Sequence, residues 1–328
     1  MKFTIVITTY NRLALLKRAI ARSLEQTVPC EVVVVDDCSQ DETEAYVNKL
    51  SAQLQAAGDH RLIYHRNTHN LGHSQSVNAG VQKASGDWIK ALDDDDYLAL
   101  DCIEVMRAAI ALRPEAVICS CRAAQVDEQE QQLSLTDCVG AGEICYVPQA
   151  DIHRGMLLEQ IPFGTPVQVA FRRDAFLRSG GWDSSLDGNF DDIDSWVKIA
   201  QFGDALFINR CLAYRTIWLG ASNRRLSLIK RLNTHIMVKR KIHALVAAQY
   251  RHELPSVGTV ERYLKLHWAL VALRQGAWRD ALRFSARAAW SPQAWYLLLQ
   301  RKLHRRRAGL PCVFAKPLEM SSVLSFSR

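Results

Sequence analysis

Residues 88–96 read Trp-Ile-Lys-Ala-Leu-Asp-Asp-Asp-Asp, a short and largely apolar run that stops on four consecutive carboxylates. A run of this length and composition is a strand buried on both faces. Four adjacent carboxylates repel one another, so collecting them at a strand end calls for a counter-charge. A hard divalent cation, bound by one or two carboxylates together with substrate phosphates, meets that need. The plainer alternative is a solvated acidic loop that caps the next helix.

The same grammar extends outward in both directions. Residues 3–8 (FTIVIT), 31–35 (EVVVV) and 61–65 (RLIYH) also read as short apolar strands. After the first strand, Asn11 is placed to cap a helix whose apolar stripe is Leu13, Leu16, Ile20 and Leu24. After the second, Asp36-Asp37-Cys38-Ser39 turns the chain, and Ser39 with Glu42 has the capping-box spacing that predicts a helix from about Gln40. Helices are expected at 73–84 and about 101–112, with a further strand near 115–120. Strand and helix therefore alternate from the first residue, which predicts an α/β fold: a mostly parallel sheet flanked by helices. In such sheets ligands bind beyond the carboxyl ends of the strands. The clusters 36–37 and 93–96 both lie at such ends, so they are expected to share one crevice. There Asp36 or Asp37 can accept hydrogen bonds from a ribose or base, although no GxGxxG loop is present.

Beyond about residue 123 the pattern loosens. Residues 125–132 read as a loop, 166–172 as a strand, Gly180-Gly181 as a break and 191–202 as a short helix. Asp191, Asp192 and Asp194 suit the positive end of that helix, and taken alone they leave two readings open, a dipole-stabilised helix start or a catalytic base. His69, Asn70, Gly72, His73 and Asn78 read as loop and cap residues. From about 222 the chain is helical and basic, with two antiparallel helices over 260–289 joined at Gly276. Leu264, Trp268 and Val271 on one, and Trp278, Leu282 and Ala286 on the other, are placed to pack them.

The 328 residues carry a net charge of +7 that conceals an asymmetry: residues 1–214 hold 19 Lys/Arg against 30 Asp/Glu, and residues 215–328 hold 22 against 4. The expected organisation is a unit over 1–220 and a basic helical region over 221–328. Arg224, Arg225, Lys230, Arg231, Lys239, Arg240 and Lys241 alternate with apolar residues, and Arg301, Lys302, Arg305, Arg306 and Arg307 follow the run AWYLLL. Two readings remain open for them: peripheral contact with an anionic membrane, or helix faces packed on the preceding unit. Nucleic acid is not expected, because no recognition motif accompanies the charge and the crevice is acidic. The nine cysteines are scattered without a CxxC pair and read as reduced thiols. No run reaches the roughly 18 apolar residues of a membrane span, and FTIVITTY is too short for a signal core, so a cytoplasmic location is expected, peripheral on the inner face of the membrane under the first of the two readings of the basic region.

ITTYNR (7–12), VVVVDDCSQDET (32–43), NLGHSQSVNAGVQKASGDWIKALDDDDYL (70–98) and GGWDSSLDGNFDDIDSWVKIA (180–200) stand together in an order that resembles the inverting family 2 glycosyltransferases of the GT-A fold. The resemblance spans about the first 210 residues. It implies that Thr9, Tyr10 and Asn11 line a nucleotide pocket and that Asp37 reads the base. It makes Asp93 and Asp95 the DxD signature, with Asp95 on the metal and Asp96 close by, and Asp192 the catalytic base. Asp191 stands where the family carries glutamate, Val77 where many members carry arginine, and Cys38 in place of a common glycine. The implied cofactor is Mg²⁺ or Mn²⁺. The implied partners are a nucleotide-sugar donor, a UDP-sugar before others, and a glycan or lipid-linked acceptor. A catalytically silent nucleotide-binding scaffold is the alternative. A nucleotidyltransferase would need a glycine- and lysine-rich loop after the first strand, where TTYNR stands.

Overall fold

A computed structural model of the chain describes residues 1–218, 226–306 and 312–318. In chain order the elements begin β1 (Phe3–Thr9), α1 (Leu13–Leu24), β2 (Glu31–Asp36), α2 (Thr43–Ala56), β3 (Leu62–Arg66), α3 (His73–Lys83) and β4 (Trp88–Asp93). They continue through β5 (Tyr97–Leu98), α4 (Cys102–Leu112), β6 (Ala116–Val126), β7 (Gln132–Leu135), β8 (Ile144–Val147), α5 (Gln149–Leu157), β9 (Val169–Arg172) and α6 (Arg173–Arg178). Last come α7 (Asp191–Ile199), β10 (Asp204–Thr216), α8 (Leu228–Leu245), α9 (Val257–Arg274), α10 (Trp278–Ser285), α11 (Pro292–Arg306) and β11 (Lys316–Pro317).

One sheet runs β11-β8-β10-β6-β9-β4-β1-β2-β3, with β5 and β7 attached beside β10 and β6. Strands β3, β2, β1 and β4 are parallel, as are β6 and β10. Strand β9 lies antiparallel between β4 and β6. Because side chains alternate across a strand, Val6, Val33 and Val35 enter one apolar cluster while Ile5, Ile7, Val32 and Val34 enter another on the opposite face. Burial on both faces is why these strands read as unbroken apolar runs.

The sequence expectations fail where partners come from elsewhere in the fold. Asn11 does not cap α1; its backbone is left-handed (φ 55°), and its side-chain oxygen accepts from Gln40 N at 2.6 Å. The α1 cap comes from Asp41, whose carboxylate accepts from Leu13 N. Ser39 and Glu42 form no capping box either: Ser39 Oγ accepts from Asn11 N, and α2 starts at Thr43. The loops after β1 and β2 bond each other, and Asp41 serves both helices, accepting from Leu13 N and from Thr43 N. Residues 166–168, expected to open a strand, form a single 3₁₀ turn in which Gln168 N donates to Thr165 O at 2.9 Å and Thr165 N to Gln168 Oε1 at 3.3 Å. The loop expected at 125–132 is shorter, since β6 extends to Val126 and β7 begins at Gln132. Helix α10 presents the opposite stripe from the one expected: Ala281 and Phe284 pack inward, while Trp278 (57% exposed) and Leu282 (64%) face outward, as does Ala286. Both stripes are apolar at helical spacing, so periodicity alone offered two solutions.

The basic region is joined to the sheet unit by a continuous apolar cluster that includes Leu232, Val238 and Ile242 of α8, Leu264 of α9 and Leu298 of α11. Lys239 is buried and donates to Met156 O (2.7 Å) and Leu157 O (3.0 Å) of α5. Lys241 bonds Asp194 at 2.6 Å, and Arg240 pairs with Glu261. Lys239 is thus a packing group, while Arg240 forms an exposed ion pair and Lys241 a partly exposed one. Arg224, Arg225 and Arg307, together with the expected boundary at 220/221, lie outside the described residues. Among the last described residues, β11 pairs antiparallel with β8.

Lys90 sits in the middle of β4, fully buried. Its ammonium donates to Pro166 O (3.2 Å), Val169 O (3.3 Å) and Ala91 O (3.4 Å) and also contacts Val167 O. Burial lowers its pKa. The lysine thus fastens the turn 166–168 to the strand that ends in the carboxylates. Lys90→Met keeps the length of the side chain but leaves those carbonyls without a donor. The expected loss is about 1–3 kcal/mol of unfolding free energy, measured by urea denaturation; an unchanged midpoint and slope would show that the turn does not need the lysine.

Candidate active site

A cleft of about 790 Å³ opens where β1, β2 and β4 end. The chain turns sharply after Asp93, and the four aspartates take different directions. One carboxylate oxygen each from Asp93, Asp95 and Asp96 can be chosen so that all lie within 4.8 Å of one another. Asp94 turns inward, accepting from Thr9 Oγ1 at 2.8 Å and from Arg12 at 3.0 Å. Burial, only partly offset by Arg12, pushes Asp94 up to about 7. Burial also raises Asp95, with Asp93 adding repulsion, and Trp218 Nε1 donates to its carboxylate at 2.9 Å. Asp96 accepts from Thr216 N at 2.9 Å and is raised by burial well above the carboxylate range. Arg12 lies over the Trp218 ring at 5.0 Å and between Asp94 and Asp95.

His73, in the first turn of α3, bridges two carboxylates: Nε2 lies 2.9 Å from Asp93 and Nδ1 3.5 Å from Asp191. Burial opposes its charge, but Asp93 and Asp191 outweigh burial and hold its pKa well above 6.5. Asp93 is lowered in turn: against the cost of burial, the His73 imidazolium and then Arg12 favour its charged form. The start of α3 is clamped by two carboxylates from other loops. Asp37 accepts from Asn67 Nδ2 and Leu71 N at 2.8 Å and from Gly72 N at 2.9 Å. Asp187 accepts from Ser74 N at 2.9 Å. Gly72 has φ +89°, and a Cβ there would run into the Asp187 carboxylate, so only glycine fits. Asp36 points away from the cleft, towards Ser39 N and the Tyr64 hydroxyl.

Asp191 and Asp192 open α7 on the far wall. Burial first, and Asp191 second, push Asp192 up to about 7. Its Oδ1 accepts from Ile193 N at 2.7 Å. Asp194, on the same helix, is turned away and fully buried against Lys241 and Lys198.

Thr9, Tyr10, Asp37, Asp93, Asp95, Asp96 and Asp192 therefore line one cleft, and Asn11 does not. Val77 is buried in the apolar cluster; among the described residues the cations lining the cleft are Arg12, His73, Arg215 and Arg231. Cys38 keeps the left-handed backbone (φ 66°) that glycine adopts most easily. Sequence reasoning missed Arg12, His73, Trp218 and Arg231. Arg12 and His73 stood inside recognised segments, and the carboxylates around them could have flagged them. Trp218 and Arg231 arrive from beyond β10 with no local signal.

The donor set consists of hard carboxylate oxygens, two of the three destabilised as bare anions. That chemistry fits a small divalent cation. In metal-free protein the raised pKa of His73 sets a pH dependence. Its stabilising contribution is fully present below 6.5 and is lost as pH rises through its folded value. The difference in melting temperature between wild type and His73→Gln, measured in a chelator, should shrink as pH rises above 6.5. A difference that does not change with pH would show that the imidazole is not charged between the two aspartates.

Residues 4–179 match the model described as Glycosyl transferase family 2. A Haemophilus influenzae "uncharacterized glycosyltransferase" is 26% identical over 209 residues, 60% of this chain and 62% of that protein. The Campylobacter jejuni GalNAc(5)-diNAcBac-PP-undecaprenol beta-1,3-glucosyltransferase is 34% identical over 99 residues, 30% of each chain. The chain thus spans less than two thirds of the length of both curated relatives. Among solved structures, Staphylococcus aureus TarS 1-349 in complex with UDP-GlcNAc superposes with a TM-score of 0.66 at 18% identity, covering 94% of this chain and 88% of that one. The Pyrobaculum calidifontis mannosyltransferase in complex with GDP-Man and Mn²⁺ gives 0.54 at 20% identity, covering 93% and 80%. These likenesses establish the GT-A fold.

Proposed function

Since the chain belongs to glycosyl transferase family 2, we propose that it moves a sugar from a nucleoside-diphosphate sugar, a UDP-sugar first, onto a hydroxyl of a glycan or lipid-linked acceptor, with inversion at the anomeric carbon. The observation that carries this reading is the meeting of Asp37, Asp93, Asp95, Asp96 and Asp192 in one cleft at the carboxyl ends of β1, β2 and β4. Residues 1–220 carry the reaction in this reading, with 221–328 as its basic helical extension. The lipid-linked acceptor class fits the C. jejuni relative, whose name places its own substrate on undecaprenyl diphosphate. Among the described residues no helix is long and apolar enough to cross a membrane.

Each residue has a distinct task. The half-exposed ring of Tyr10 offers a stacking face for the base. Asp37 holds the loop 67–72 as the pocket wall and keeps a lone pair for the nucleotide. Asp93, Asp95 and Asp96 would hold Mg²⁺ or Mn²⁺, which supplies charge neutralisation to a departing diphosphate. Arg12 and His73 hold the carboxylate array in place against its own repulsion. Asp192 keeps Oδ2 clear of its helix and takes the proton from the acceptor hydroxyl. The acceptor oxygen then bonds to the anomeric carbon as the bond to the diphosphate breaks on the opposite side. An apparent pKa of about 7 makes this carboxylate a stronger base than an ordinary aspartate while leaving much of it ionised near neutrality. A silent nucleotide-binding scaffold would have no use for such a base facing the cleft.

Asp192→Asn should lower kcat/KM by about 10²–10⁴-fold while leaving donor binding intact. In the wild type the acid limb of kcat/KM should rise with pH, centred between the ordinary carboxylate range and about 7, because bound positive charge lowers the Asp192 value. Retained activity in the variant would remove Asp192 from the role. A panel of nucleotide sugars screened for thermal stabilisation with Mn²⁺ identifies the donor, and NMR of the product anomer tests inversion. Asp95→Ala should abolish the Mn²⁺-dependent part of the stabilisation; the same shift with and without Mn²⁺ in wild type and variant would contradict the assignment.

A further inference from the structure

We propose that the elbow between α10 and α11 is a docking surface for an anionic lipid bilayer. Trp290 at the elbow is 87% exposed, and Tyr296 (61%) and Leu299 (55%) face outward on the following helix. Beside Trp290 lies a shallow concavity of about 480 Å³, lined also by Arg262, Arg287, Ser291, Pro292 and Gln293. Among the described residues neither arginine has a carboxylate partner, and Arg262 Nε is buried without an acceptor. Residues 278–306 hold seven Lys/Arg and one acidic residue.

Exposed tryptophan and tyrosine beside guanidinium groups that lack a carboxylate partner suit the headgroup layer; among the described residues Arg262 Nη2 donates only to the Thr259 hydroxyl, at 3.5 Å. The rings bury in the interface, and the arginines meet lipid phosphates in charge-assisted bonds. The positive end of α11 adds to the same field. A second copy of the chain would bring its own basic patch against this one and be repelled. On α8, Lys239 is buried, and Arg240 and Lys241 are already paired with Glu261 and Asp194. The elbow also stands close to the cleft: Arg262 and Trp268 are six residues apart on α9, about 9 Å along the axis. The Trp268 ring carries the guanidinium of cleft-lining Arg231 at 4.9 Å. Bilayer docking through the elbow would bring the cleft towards lipid-borne hydroxyls, which deepens the lipid-linked acceptor reading and in that respect rests on it.

The test is co-sedimentation of the full chain with phosphatidylcholine vesicles, with and without phosphatidylglycerol. The expected result is pelleting with the anionic vesicles alone, reversed by salt. The double variant Arg287→Glu/Trp290→Ser should weaken partitioning about tenfold or more, and Lys49→Glu, an exposed change on α2, should leave it near wild type. Both variants should keep wild-type donor binding, which separates a failure of docking from a failure of the transferase reading. The proposal is overturned by absence of pelleting at low salt, by equal losses in the two variants, or by light scattering that shows a dimer lost in the double variant.

Discussion

Repulsion among carboxylates is the constraint around which this site is arranged. Asp93, Asp94, Asp95 and Asp96 leave one strand, and Asp191 and Asp192 face them from α7. Partly buried anions at this density cost several kcal/mol each unless paired. The fold gives each a different remedy. Asp94 is bonded by Thr9 and Arg12, Asp96 by a backbone N–H of the β10 exit, and Asp95 by Trp218. Asp93 and Asp191 share one imidazolium. These bonds do not offset burial everywhere: Asp94, Asp95, Asp96 and Asp192 all keep raised pKa values.

The architecture was legible because its determinants are local. EVVVV and FTIVIT can only be strands covered on both sides, and carboxylates placed directly after such strands must sit at the sheet's carboxyl edge. Asp37, Asp93 and Asp95 could therefore be assigned to one crevice from the sequence, whereas Asp192, at a helix start, is assigned through the family resemblance. The failures share a cause of the opposite kind. Asn11 and Ser39 have the chemistry of caps, but the two loops lie side by side, and each gives its hydrogen bonds to the other. His73 looked like a loop residue because the carboxylates that charge it are 20 and 118 positions away. Trp218 and Arg231 reach the cleft only because β10 and α8 return to it.

The basic C-terminal region illustrates how one compositional signal divides between two physical roles. On α8, Lys239 ties α5 by its carbonyls, and Arg231 stacks on Trp268 while facing the cleft. These groups are reached by packing and are not available as a surface field. On α10, Trp278, Arg279, Leu282 and Arg283 stay outside because the inward stripe is already filled by Ala281 and Phe284, and on α11 Tyr296 and Leu299 face outward while Leu298 packs inward. A sum of charges along the chain cannot separate these populations; the burial of each stem does.

Asp194 shows how the two halves depend on each other. It lies two residues after Asp192, so the two side chains leave α7 about 200° apart. If one faces the cleft, the other must face the body of the protein. A lone carboxylate there would rotate the helix outward to recover its hydration, taking Asp192 with it. Lys241 from α8, at 2.6 Å, and Lys198 one turn on, at 3.1 Å, remove that incentive and fix the helix about its axis. The direction in which Asp192 points is thus set by a cation contributed from beyond the family-matched segment, and α8 is structurally part of the site it borders.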